Sequence, residues 1–74
     1  MLRVGLFRAH ERLFEGTAAR VVLPSEEGEV SVFDFHAPML CALGRGEVVV
    51  DEARFPVQGG IARVARNVVT ILAS

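Results

Sequence analysis

A chain of 74 residues, 51% of them apolar and with a formal net charge of −1, describes one small folded domain, residues 1–74, rather than a disordered segment. All eight basic residues are arginine and nine acidic residues outnumber them, which excludes the basic face that a general nucleic-acid binder needs to gather phosphates. Cys41 is the only cysteine, so no intrachain disulfide forms, a reducing compartment is expected, and no apolar run approaches the ~20 residues that span a bilayer.

Valine occurs twelve times against seven leucines, a bias toward strands over helices. The segment Met1–Leu6 has neither a basic-then-apolar signal region nor the character of a transit peptide. A bacterial cytoplasmic protein is therefore expected, with any membrane association made through another protein. Leu2, Val4 and Leu6 alternate with Arg3, Gly5 and Phe7, the pattern of a half-buried first strand. Arg8–Phe14 is too short for a stable helix before Gly16 and reads as a turn leading into a short strand. Thr17–Leu23 is the next strand, its Val21-Val22-Leu23 end covered on both faces.

Pro24-Ser25-Glu26-Glu27-Gly28-Glu29 follows as an acidic turn, combining a residue of fixed φ with a glycine free to take φ > 0. Val30–Phe33 is a strand rich in β-branched and aromatic residues. Pro38 pushes the residue before it toward extended geometry, so Phe35–Pro38 forms a corner. Met39–Leu43, bounded by Pro38 and Gly44, is assigned as a strand, and Gly44–Gly46 as a turn. Glu47–Val50 and Arg54–Val57 pair around Asp51–Ala53, with Pro56 confined to an edge or a bulge. Gly59-Gly60 suits a hairpin turn, and Ile61–Ala65 pairs with Val68–Leu72 across Arg66-Asn67. Eight to ten short strands at this spacing predict an all-β fold, a small β-sandwich or flattened barrel.

Residues for catalysis are poorly arranged. Cys41 reads as a packing residue in an apolar strand, and His10 as an exposed turn residue. Neither His10 nor His36 has metal-ligand companions at a recognised spacing. His36 with Glu29 or Asp34 could serve as an acid and a base, but the spacing supplies no orienting group or pocket. Gly44-x-Gly46 and Gly59-Gly60 lack both a following helix and a P-loop lysine, which argues against direct nucleotide binding. Glu26, Glu27 and Glu29 put three carboxylates on one short loop, either a solvated turn or a steering patch for a basic partner. A stand-alone β-sandwich adaptor using this acidic loop, residues 26–29, is one functional reading.

Another comes from resemblance. Leu13-Phe14-Glu15-Gly16, Glu27-Gly28-Glu29, His36-Ala37-Pro38, Val57-Gln58-Gly59-Gly60-Ile61 and Val69-Thr70-Ile71-Leu72-Ala73 stand in one chain order over nearly the whole sequence. Together they resemble the N-terminal β-sandwich domain of the epsilon subunit of F-type ATP synthases. The resemblance implies a non-catalytic rotor subunit that couples gamma to the c-ring of a proton- or sodium-translocating enzyme. It also implies a peripheral place on the cytoplasmic face of the inner membrane, with no cofactor and no metal. By the same resemblance Glu26, Glu27 and above all Glu29 face the basic polar loops of the c-ring, and His36, Ala37 and Met39 face gamma. Where the family usually has glycine before this histidine, Phe35 stands here. The corner is therefore expected to avoid φ > 0, or the phenyl ring to supply extra apolar contact. The family continues past the closing strand into two inhibitory helices, whereas this chain stops at Ser74. A short form without epsilon-type inhibition is expected.

Overall fold

The computed structural model describes all 74 residues as nine strands. They are β1 (Leu2–Arg8), β2 (Glu11–Ala18), β3 (Val21–Ser25), β4 (Gly28–Val32), β5 (Met39–Leu43), β6 (Gly46–Val50), β7 (Ala53–Val57), β8 (Gly60–Ala65) and β9 (Val68–Ala73). There is no helix, and so none long and apolar enough to cross a membrane. Valine-rich alternation thus gives the all-β fold that the composition predicts.

The strands hydrogen-bond in the order β2-β1-β9-β8-β5-β3-β6-β7, with β4 on the other edge of β3. Every pairing is antiparallel except that of β1 with β9. The path narrows to the single pair Ser25↔Leu43 between β3 and β5. That narrow joint divides the sheet into two layers, β2-β1-β9-β8-β5 and β4-β3-β6-β7. Between them lies a core of 15 buried apolar residues, among them Leu2, Leu6, Leu23, Val48, Val64 and Ile71. At the free ends of the path, Phe14 of β2 meets Phe55 of β7 edge-to-face at a centroid distance of 6.1 Å. The Arg8 guanidinium donates to the Pro56 carbonyl across the same seam. The sheet therefore curls toward closure, which leaves few free edges.

Several local expectations are corrected. Arg8–Phe14 is not mainly a turn: β1 and β2 form one long hairpin through Ala9-His10, its register shifted between Leu6 and Phe7. Thr17–Leu23 is broken at Ala19-Arg20, where the chain crosses from one layer to the other. The Asp51 carboxylate accepts the Ala19 and Arg20 amides at 3.0 and 3.1 Å, so the break leaves neither donor unpaired. The acidic turn contracts to Glu26-Glu27, with Gly28 and Glu29 already in β4. Gly59-Gly60 is not a hairpin turn, because β7 and β8 do not pair. Pro56 does lie on an edge strand, β7, and β8 does pair with β9 across Arg66-Asn67. His10 is exposed, whereas Cys41 is only half-buried against the core.

Gly60 begins β8 at φ 130°, and a Cβ there would stand 2.2 Å from the Leu72 carbonyl oxygen and 2.8 Å from the Ala73 Cα. Gly28 has φ 125° but open space around it. Both substitutions to alanine carry backbone strain, and only Gly60→Ala adds a backbone clash. Gly60→Ala is expected to destabilise by several kcal/mol (~3) and Gly28→Ala by about 1 kcal/mol. Urea denaturation midpoints of the two variants check the ranking.

Candidate functional site

The inner faces are filled by apolar side chains and no polar side chain is buried, so any function resides on the outside. On the outer face of the five-stranded layer, alternation points Leu40, Ala42, Ile61, Leu72 and Phe7 away from the core. Register aligns four of them into one row across four strands: Ala42↔Ile61, Ile61↔Leu72 and Leu72↔Phe7. Leu40 lies beside this row, opposite Arg63. Leu40 is 71% exposed and Leu72 57%, unusual for large aliphatic side chains that stand together. Arg63 stands in the next row, opposite Leu40 and Thr70, and Arg3 in the row beyond, opposite Val68, and neither joins an ion pair. The row is apolar, with arginines in the rows beside it and Glu26 and Glu27 beside its Leu40 and Ala42 end.

The three carboxylates lie on one hairpin, Glu26 and Glu27 in its turn and Glu29 on β4, and they line two grooves. The Glu26 amide donates to the Ala42 carbonyl at 3.1 Å, and the Gly44 amide to the Pro24 carbonyl at 2.7 Å. These bonds hold the Glu26-Glu27 turn against β5 at the joint between layers. The Ser25 hydroxyl accepts the Glu27 amide at 3.0 Å, fixing the turn internally. Glu26 and Glu27 thereby line an open groove of ≈ 330 Å³ together with Val30, Met39, Leu40, Cys41 and Ala42. Glu29 lines a different groove, with Arg45, Glu47 and Arg54, where Arg54 pairs with Glu47 at 3.2 Å. Met39, assigned with His36 and Ala37 from the sequence, thus shares its groove with Glu26 and Glu27, while Glu29 stands apart.

His36 and Ala37 occupy the corner before β5. The corner is a built structure. Asn67, in the β8–β9 turn at φ 62°, accepts the Phe35 amide on Oδ1 at 2.7 Å and donates from Nδ2 to Asp34 Oδ1 at 3.0 Å. The same Asp34 oxygen lies 3.2 Å from the Met1 amino group. The His36 amide closes the turn onto the Phe33 carbonyl at 3.2 Å, and the half-buried His36 ring places Nδ1 2.7 Å from the Ala37 carbonyl oxygen. Asp34 is thus occupied by Asn67 and Met1, and Glu29 lines a groove to which His36 does not contribute. No acid–base pair with His36 is assembled.

Phe35 corrects the expectation for this corner. Its φ is +64°, in the left-handed region, and its ring is 90% exposed. The backbone does not avoid φ > 0, which leaves the other expectation, an apolar contact made by the ring. Asn67 was not singled out from the sequence. Its place in a two-residue turn between alternating strands was the available signal, since asparagine tolerates left-handed geometry.

All 74 residues match the family model described as ATP synthase, Delta/Epsilon chain, beta-sandwich domain. Among curated relatives, an ATP synthase epsilon chain 2 of Ralstonia nicotianae is 40% identical over 78 residues, covering 99% of this chain and 56% of that protein. An ATP synthase epsilon chain of Halorhodospira halophila is 36% identical, covering 97% of this chain and 55% of the relative. The chain therefore spans about half the length of the curated relatives it matches. Among solved structures, a chain of the Euglena gracilis mitochondrial ATP synthase superposes with a TM-score of 0.89 at 24% identity, over 97% of this chain and 49% of that one. A chain from the Tetrahymena thermophila mitochondrial ATP synthase central stalk and c-ring gives 0.77 at 19%, over 97% and 62%. At these identities the two superpositions speak for the fold.

The Asn67 side chain is expected to be what orders the corner. Asn67→Gly keeps a residue suited to φ 62° while deleting the three side-chain bonds, to the Phe35 amide, Asp34 and the Met1 carbonyl, so stability should fall by about 1–2 kcal/mol. Hydrogen exchange of the Phe35 amide should accelerate in the same variant, while amides of β6 and β7 keep their protection.

Proposed function

The chain belongs to the ATP synthase delta/epsilon-chain β-sandwich family, and from that premise we propose that it acts as the epsilon-type subunit of an F-type ATP synthase central stalk. In this reading it joins the gamma subunit to the c-ring and turns with them, as a non-catalytic part of a proton- or sodium-driven enzyme. It sits on the cytoplasmic face of the bacterial inner membrane as a peripheral component. It uses no cofactor and binds no nucleotide itself.

The observation that carries the proposal is the exposed apolar row Ala42-Ile61-Leu72-Phe7 with Leu40 beside it. Such a face suits burial against a partner, and Arg3 and Arg63 at its margin favour a partner surface with acidic residues. We assign this face, together with His36, Ala37 and Met39 at the end of β5, to gamma. Glu26 and Glu27 project from the joint between layers and Glu29 from β4, toward the basic loops of the c-ring. The chemistry of ATP belongs to other subunits. The contribution of this one is mechanical: a closely packed core resists deformation, so torque passes through the domain with little loss to internal strain.

The test is co-purification of this chain with its cognate gamma subunit, with and without the c-ring. Stoichiometric retention by gamma, strengthened by the c-ring, is the expected result. Leu72→Asp should weaken gamma binding by about tenfold or more, as expected for a charge placed in an apolar contact. Glu29→Lys should leave gamma binding intact but remove the gain from the c-ring, and that gain should shrink in wild type as salt is raised. Failure to bind gamma at micromolar concentration would overturn the proposal.

A further inference from the structure

Phe35 combines a strained backbone with an exposed side chain. A bulky residue at φ +64° is an outlier for an L-amino acid. Its ring is 90% exposed, so no intrachain packing offsets the backbone strain. The corner is also not loose. The Phe35 amide is held by Asn67 Oδ1 at 2.7 Å, the next amide by the Phe33 carbonyl at 3.2 Å, and Asp34 by Asn67 Nδ2 at 3.0 Å. Strain kept in place by a dedicated set of hydrogen bonds points toward function rather than toward disorder. Two more large apolar side chains stand out at the same corner: Phe33, two residues before, and Met1, whose amino group lies 3.2 Å from Asp34. The corner adjoins the outer face of β9, because Asn67 directly precedes the exposed Val68, with Thr70 between Val68 and Leu72 of the apolar row.

We infer that Phe35 is an aromatic anchor, held outward by the Asn67 bonds, that enters an apolar recess on the stalk partner and fixes the register of the contact. The inference rests on the gamma-type reading above and deepens it. A large rigid ring on a fixed backbone loses little conformational freedom on binding, the property of residues that dominate interface energetics. The unpaired Arg3 and Arg63 on the adjoining face match a recess bordered by acidic groups. Phe35 is then a specificity residue: its ring contributes nothing to the domain's own packing and is directed to the partner alone.

The experiment measures affinity of this chain for its cognate gamma subunit by titration, alongside melting temperature and solution mass, for wild type, Phe35→Gly, Phe35→Asn and Phe35→Tyr. Glycine takes this φ without steric cost and asparagine tolerates it, so both variants should melt at or above the wild-type temperature. Both should bind gamma about tenfold or more weakly, as for loss of an aromatic hot spot, and Phe35→Tyr should bind nearly as wild type. A lower melting temperature in both the Gly and Asn variants would show that the ring is packed within the fold and overturn the inference. Binding within about twofold of wild type would overturn it while leaving the gamma-type reading intact. Wild-type chain that ignores gamma would sink that reading and the inference with it. A wild-type dimer lost in Phe35→Gly would reassign the ring to a second copy of this chain.

Discussion

All nine strands contribute to a single core of 15 buried residues, and this constraint governs the rest of the molecule. A chain this short buries a smaller share of its surface than larger domains do, so it has no apolar surface to spare for a second core. Alternation commits one face of each strand inward. The interior then holds no buried polar side chain and no group that chemistry could use. No three His, Cys, Asp or Glu residues come together as a metal cluster would. What remains for function is the outer surface and the corners that join strands.

The corners follow their own logic. Tight two-residue connections in a twisted sheet need left-handed backbone, and here Ala9, Asp51, Arg66 and Asn67 supply it without glycine. Asp51 and Asn67 also put their side chains to structural use. Asp51 accepts the two amides freed where the chain crosses between layers, and Asn67 holds the corner before β5. Their local backbone cost, of order 1 kcal/mol, is offset within the fold by those bonds. Phe35 shares the geometry, and its amide is held by Asn67 Oδ1, while its side chain is exposed.

Much was legible in the residues themselves. Leu2-x-Val4-x-Leu6 and the valine-rich runs reported strands because a half-buried pleat demands alternation. Pro56 reported an edge because it cannot donate to a ladder. The motifs from Phe14-Glu15-Gly16 to the closing Val69–Ala73 strand identified the family over the whole chain. Less legible were places where both parities of a strand are apolar. In Met39-Leu40-Cys41-Ala42-Leu43 and Val69-Thr70-Ile71-Leu72, nothing local says whether Leu40 or Cys41, Ile71 or Leu72, faces inward. Where the acidic turn ends was illegible for a related reason. Glu29 lies two residues from Glu27, yet the turn ends at Glu27 and β4 carries Glu29 into a groove with Arg45 and Arg54.

By itself, then, the sequence determined the class of fold, the approximate strands and the family, because these depend on local periodicity, turn chemistry and ordered motifs. Only the tertiary structure decided which apolar residues remain outside and align as one row, which carboxylates share a groove, and that Asn67 holds Phe35 in a left-handed corner. Those outcomes depend on register between strands distant in the chain. Ala42, Ile61, Leu72 and Phe7 become neighbours only when four ladders form together, and no local window of sequence contains that information.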